Sequence, residues 1–311
     1  MKSFFWLLLI SFNLFSISSF SQFSGKITYK FEYDNPTSQK LELQLRDVVI
    51  DSVVYSINGL GYHSVSYTEG EIYEEYVYDS ASKRMLFSMG ERPYYLYLQT
   101  DLQKFKVDKA LNIQSDEQEE ILGYTAYKAV NLHTGEINYF SKDLQIETDE
   151  YQSHYFSQWN KIMKETNGSI PLKSISKQNG VSIAKTATKI ETIPVEQLAF
   201  HIDESKEQVA AYNNLDEVIA FPELNGNKMW CYQSIVERQS NKLIDGKDYQ
   251  ITLRFVVQQD DSISHIEIIE SEYSYLNEAA KQIIATCDLG FKAGKINGNP
   301  VSSEIYYPVN F

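Results

Sequence analysis

From Gly25 onward the chain alternates between apolar and polar positions. Ile27, Tyr29, Phe31 and Tyr33 are separated by polar residues, and Leu41, Leu43 and Leu45 repeat the pattern after Asp34, Asn35 and Pro36. A period of two puts every second side chain on one face, so each run predicts a strand with one buried side. Short runs over 48–58, 62–67, 71–79, 84–88 and 94–98 continue the pattern between Gly, Asn or Asp, which predicts an antiparallel meander. After an acidic stretch at 116–120, residues 126–130 and 137–140 predict a hairpin turning at His133, Thr134 and Gly135. Tyr155, Trp159 and Ile162 then follow helical spacing, and predict a short helix over 151–164 that covers the sheet. Two further strands, at 172–176 and 181–192, precede Ile193 and Pro194, where a first domain over 22–202 closes.

The last hundred residues have a different rhythm. A polar stretch reads as a linker over 203–214, and residues 215–311 as a second domain. Ile251, Leu253, Phe255 and Val257 alternate as a strand, 259–262 is a turn, and 264–270 a return strand. Ser274 is placed to cap a helix with Tyr275, Leu276, Ala279, Ala280, Ile283 and Ile284 on one stripe. A loop with Gly290, Gly294 and Gly298 leads to a closing strand with Ser303, Ile305, Tyr307, Val309 and Phe311 on one face. Chain ends are poorly ordered unless tied into a sheet, so this apolar ending predicts a strand that matters. The expected fold class is α+β: a β-rich open barrel with a covering helix, then a small β-β-α-β unit.

Composition changes the picture in three places. A net charge of −14 with no basic run argues against nucleic acid and anionic lipid surfaces as partners, because both need Lys/Arg patches. The 23 Tyr and 16 Phe are strand-favouring residues and fit an aromatic-rich sheet. At the N-terminus, Met1, Lys2 and Ser3 precede an apolar run at 4–15, and Ser19 and Ser21 supply small residues before Gln22. This predicts an export signal over 1–21, cleaved after Ser21, and hence a periplasmic location; retention as an anchor is the alternative. The run falls short of the roughly 20 apolar residues that span a bilayer, and no cysteine follows it to carry a lipid anchor.

Candidate chemistry is sparse. Cys231 and Cys287 either form one disulfide in an oxidising compartment or are two small buried apolar residues. Neither has a neighbouring ligand at metal spacing, so no metal site is expected. His63, His133, His154, His201 and His265 are scattered, and no nucleophile elbow, phosphate loop or dinucleotide fingerprint occurs. The acidic groups at Glu71, Glu74 and Glu75 and at 116–120 read as hydrated faces, and Asn167-Gly168-Ser169 matches a glycosylation acceptor only at the level of a three-residue pattern. No cofactor and no catalytic residue is expected.

Residues 251–311 carry a more specific signal. The run ITLRFVVQQDDSISHIEIIES, then LNEAAKQII, then FKAGKINGNPVSSEIYYPVNF, resembles the C-terminal domain of TonB-type energy transducers in the order and spacing of its pieces. The carrying residues are Phe291, Gly294, Gly298, Pro300, Val301, Pro308 and Asn310. The chain departs from the family at Phe291 and Ala293, where Trp and Pro are usual, and at Asp260-Asp261 in the first turn. It also lacks a Pro-rich span, having 7 scattered prolines. More weakly, 24–200 resembles exported Bacteroidetes proteins of the GLPGLI type, which look like relatives of the LolA open barrel.

Two functions follow from the resemblances. In the first, an exported non-enzymatic protein binds a partner chain, such as an outer-membrane TonB-dependent receptor, by strand addition along Ser303, Ile305, Tyr307, Val309 and Phe311. A strand paired instead with a copy of itself would give a homodimer. In the second, the first domain carries a lipid or acyl chain in an aromatic-lined cavity, and the second domain is a structural or dimerising module.

Overall fold

The structure is a computed structural model that describes residues 22–34, 49–89, 92–178, 180–198, 200, 202–203, 205–217, 226–240 and 249–311. The export signal at 1–21 and the strand expected through Leu41, Leu43 and Leu45 lie outside the described residues.

Alternation is realised first in β1 (Gly25–Asp34), where Ile27 and Tyr29 are buried and Lys30 and Glu32 exposed. A meander follows: β2 (Ser52–Asn58), β3 (Gly61–Thr68), β4 (Glu71–Asp79), β5 (Arg84–Met89) and β6 (Tyr94–Gln99), each antiparallel to the last. A second meander runs through β7 (Leu111–Ile121), β8 (Tyr124–Asn131), β9 (Ile137–Gln145), β10 (Ser169–Gln178) and β11 (Val181–Thr192). Strand β1 lies between β2 and β11 and joins the two. The acidic residues at 116–120 belong to β7, an edge of the sheet. Charge on an edge discourages pairing with another chain.

Between β9 and β10 the chain crosses the sheet through α1 (Trp159–Thr166). This helix starts later than Tyr155 suggested, because Ser157 and Gln158 have φ of 49° and 63°, outside the helical range. Trp159 stacks on Tyr62 at 5.0 Å, and Tyr62 on Tyr55 and Tyr78, both at 5.3 Å. Tyr62, Tyr78, Tyr151 and His154 are fully buried. These aromatic side chains thus pack on one another.

Strand β12 (Glu207–Ala210) corrects the expected fold class. It occupies the stretch read as a linker and pairs parallel with β6 on one side and with the final strand, β17 (Ser303–Asn310), on the other. Four residues of β12 pair with β6, and Ala210 alone reaches Ser303 of β17, so the bridge is short. Strands β13 (Gln250–Val257) and β14 (Ile263–Ser271) extend the sheet beyond β17. The result is one fifteen-stranded mixed sheet, ordered β14-β13-β17-β12-β6-β5-β4-β3-β2-β1-β11-β10-β9-β8-β7. Its terminal strands do not pair with each other, so it is not a barrel, and the protein is mostly β instead of an α+β pair of separate folds. Four residues are too few for periodicity to reveal such a bridge.

Helix α2 (Gly226–Ser240) and helix α3 (Asn277–Thr286) cover the β13 end. On α3, Ala279, Ala280, Ile283 and Ile284 are buried as their stripe predicted. Tyr275 is exposed, and Ser274 opens a 3-10 turn ahead of the helix without capping it. Beneath the helices, Leu253, Phe255, Ile305 and Val309 form a core that also takes in Leu86 and Tyr97 of the first meander. Hydrophobic burial therefore crosses the expected domain boundary along with the hydrogen bonds.

Candidate partner-binding site

Strand β17 alternates as its sequence predicts, with a consequence for its role. Ile305, Val309 and Phe311 are 2%, 0% and 7% exposed and sit in the core under α3, with Ser303 buried and Tyr307 packed against the same core. The five residues along which strand addition was expected therefore turn their side chains inward. Their backbone groups face β13: Phe311 and Tyr249 exchange N–H···O bonds of 2.9 and 3.1 Å, and the register repeats every second residue back to Ser303 opposite Val257. Outward-facing backbone belongs to Glu304, Tyr306, Pro308 and Asn310.

That outer edge is bounded at both ends. At its start Ala210 of β12 donates its N–H to Ser302 O at 2.7 Å. At its end the Tyr232 hydroxyl of α2 donates to Asn310 O at 3.1 Å and accepts from Asn310 N–H at 3.2 Å. Strand β12 takes up the Glu304 N–H through its parallel bridge between Ala210 and Ser303; from the Glu304 carbonyl to Pro308 no strand lies alongside among the described residues, and Pro308 has no N–H to offer.

The residues carrying the TonB resemblance gather around this strand. Phe291 is buried edge-on to Phe255 and Tyr307 at 5.1 and 5.2 Å. Gly294 opens β15 (Gly294–Ile296); a Cβ there would stand 2.6 Å from a Leu215 methyl carbon, so any side chain would push Leu215 aside. Asn297 and Gly298, with φ of 50° and 76°, turn β15 into β16 (Asn299–Val301), which holds Pro300 and Val301. Pro308 is exposed on the outer edge, and Asn310 is held by Tyr232.

Beside the edge lies a charged cluster that sequence reasoning missed. Glu304, 6% exposed, accepts from Arg92 Nε at 2.8 Å and from the Tyr94 hydroxyl at 2.7 Å, with Arg254 Nε 3.8 Å away. Burial, then the Glu304 carboxylate, push the Tyr94 hydroxyl up, so it stays protonated as the donor. Arg92 also donates to the Tyr306 hydroxyl at 3.0 Å, and Arg254 pairs with Glu267. Arg92 and Glu304 are 212 positions apart, so no local pattern could link them. Removing one member of a buried pair strands the other, and Arg92→Ala is expected to lower stability by about 3 kcal/mol. Urea unfolding checks this, and Arg92→Met with Glu304→Leu should recover most of the loss.

The remaining candidates are dispersed. His63 pairs with Glu75 at 2.6 Å, His265 with Glu207 at 3.0 Å, and His133 Nε2 lies 2.9 Å from Lys109 O; His201 lies outside the described residues. Cys231 and Cys287 are bonded to each other, with Cα atoms 5.5 Å apart. Among the described residues no group of three or more His, Cys, Asp or Glu could hold a metal ion, and no helix is long and apolar enough to cross a membrane.

No protein-family model matches this chain. No curated protein matches it either. Among solved structures, PNGF-II in two crystal forms gives TM-scores of 0.37 and 0.36 at 11% and 12% identity, covering 76% of this chain and 44% of that one. A DnaN sliding clamp from Bartonella birtlesii bound to griselimycin gives a TM-score of 0.11 at 11% identity, covering 83% and 90%. The chain thus spans less than half the length of the PNGF-II structures, and at these scores neither likeness assigns a fold.

Proposed function

We propose that this is an exported envelope protein, without enzymatic activity, that binds a partner protein through its C-terminal half. The observation that carries this reading is the outer edge of β17 from the Glu304 carbonyl to Pro308, where backbone groups face outward and no strand lies alongside among the described residues. An extended segment of another chain can pair there. The distribution of exposed aromatic residues supports the same half: among the described residues, the exposed large aromatics are Tyr212, Trp230, Tyr273, Tyr275 and Tyr306, whereas the exposed large apolar residues before them are aliphatic. Aromatic residues are enriched where proteins meet. The TonB resemblance makes an outer-membrane receptor segment the expected partner.

Photocrosslinking in cells, with a probe at Tyr306 or at Trp230, tests this. Adducts with another envelope protein are expected from Tyr306, and none from a probe at Leu132 on the distant meander. Adducts with the protein itself would replace the receptor by a second copy. Absence of any adduct from both positions would overturn partner binding at this edge.

A further inference from the structure

We propose that α2 is a disulfide-tethered stop on the outer edge of β17, and that thiol–disulfide exchange at Cys231 and Cys287 sets how much of that edge a partner strand can occupy. The proposal rests on the partner-binding reading above. Two independent features meet in adjacent residues. Tyr232 uses one hydroxyl to satisfy both the N–H and the C=O of Asn310, the last outward-facing position of β17. Cys231, its neighbour, is bonded to Cys287 immediately after α3, across 56 positions of chain.

The apolar anchoring of the helix is thin among the described residues. Ile235 is its one fully buried side chain among the described ones, at 4% exposure, with Cys231, Tyr232 and Val236 partly buried against the core. Asn227, Trp230, Gln233, Glu237 and Arg238 are exposed. An amphipathic helix is normally held by a broad apolar stripe. Here the stripe is narrow, and the covalent bridge holds the Tyr232 turn against the strand.

The chemistry needs a dithiol reductant. Its thiolate attacks the sulfur of Cys231, the more accessible of the two, since Cys287 is 5% exposed. The S–S bond breaks, Cys287 leaves as a thiolate and takes up a proton, and a mixed disulfide forms at Cys231. The second thiol of the reductant resolves it, leaving two protein thiols and an oxidised dithiol. Two electrons and two protons have then passed to the bridge. With the tether gone, Tyr232 no longer holds Asn310, and the open edge lengthens past Pro308 to the end of the strand.

Amide exchange on the full chain reads this at single residues. Asn310 is expected to exchange at least tenfold faster in Tyr232→Phe, in protein reduced with dithiothreitol, and in Cys231→Ala/Cys287→Ala. The amides of Ile305 and Val309, bonded to β13, should keep their protection and so report an intact fold. Tyr232→Phe leaves the bridge in place, which keeps the test valid if reduction unfolds the domain. Adduct yield from the Tyr306 probe should rise severalfold when the bridge is open. Unchanged Asn310 exchange in all three states, or adducts that form equally with the bridge open and closed, would overturn the tether alone. Accelerated exchange without adducts in any state would overturn the partner-binding reading, and this proposal with it.

Discussion

As pH falls from about 6.5 toward about 3, His154 is expected to remove roughly 1.4 kcal/mol of stability per pH unit. Its ring is fully buried, and burial pushes it down to about 3 from an ordinary 6.5. The hydrogen bonds explain why the neutral form fits. Nε2 lies 2.8 Å from the Tyr62 hydroxyl, which is 3.0 Å from Met85 Sδ, and Nδ1 has no hydrogen-bond partner. The assignment that serves both contacts has Nε2–H donating to Tyr62 and the Tyr62 hydroxyl donating to Met85. Protonation would then put a charge at Nδ1 inside a buried site, and the cost of burying it outweighs the backbone groups of His154 and Phe156 that favour the charged ring.

The sign follows from linkage. The folded-state value lies below the unfolded one, so between the two the unfolded chain binds more protons. This contribution is complete above pH 6.5 and is lost as pH falls toward 3. Carboxylates titrate in the same window, so the measurement is a difference: urea unfolding of the wild type and of His154→Phe at pH 7, 5.5 and 4. The wild type should lose about 2 kcal/mol relative to the variant between pH 5.5 and 4. Parallel curves would show that His154 is not held neutral by the fold.

Opening the bridge permanently should have an effect of similar size. Cys231→Ala/Cys287→Ala is expected to lower unfolding stability by about 4 kcal/mol, because closing a loop with a sequence separation of 56 restricts the unfolded chain by that much on the chain-entropy account. Urea unfolding of the oxidised wild type, the reduced wild type and the double variant checks it. The last two should coincide, and a double variant as stable as the oxidised protein would rule out the effect. The sequence left this pair open between a bridge and two buried thiols, since spacing along the chain carries no information on the distance between α2 and α3.

Much of the secondary structure was legible because its signals are local. Alternation from Ile251 to Val257 set β13, and the stripe through Ala279, Ala280, Ile283 and Ile284 set the buried face of α3, each from spacing within a few residues. Where a local rule conflicted with the backbone, it failed: Tyr155 has helical spacing with Trp159, but positive φ at Ser157 and Gln158 delays α1. The candidate site was half legible. Alternation correctly placed Ser303, Ile305, Tyr307, Val309 and Phe311 on one face, yet it could not say whether that face meets a partner or a core. The covering helices place that face in a core.

By itself, then, the sequence determined which residues share a face and where chain direction reverses, because side-chain periodicity and turn chemistry act over a few positions. Only the tertiary structure decided that β12 joins both halves into one sheet, that Arg92 meets Glu304, and that Tyr232 closes the edge at Asn310. Each depends on hydrogen-bonding groups brought together from distant parts of the chain, and the Arg92–Glu304 pair in particular forms because burial without a partner is costly.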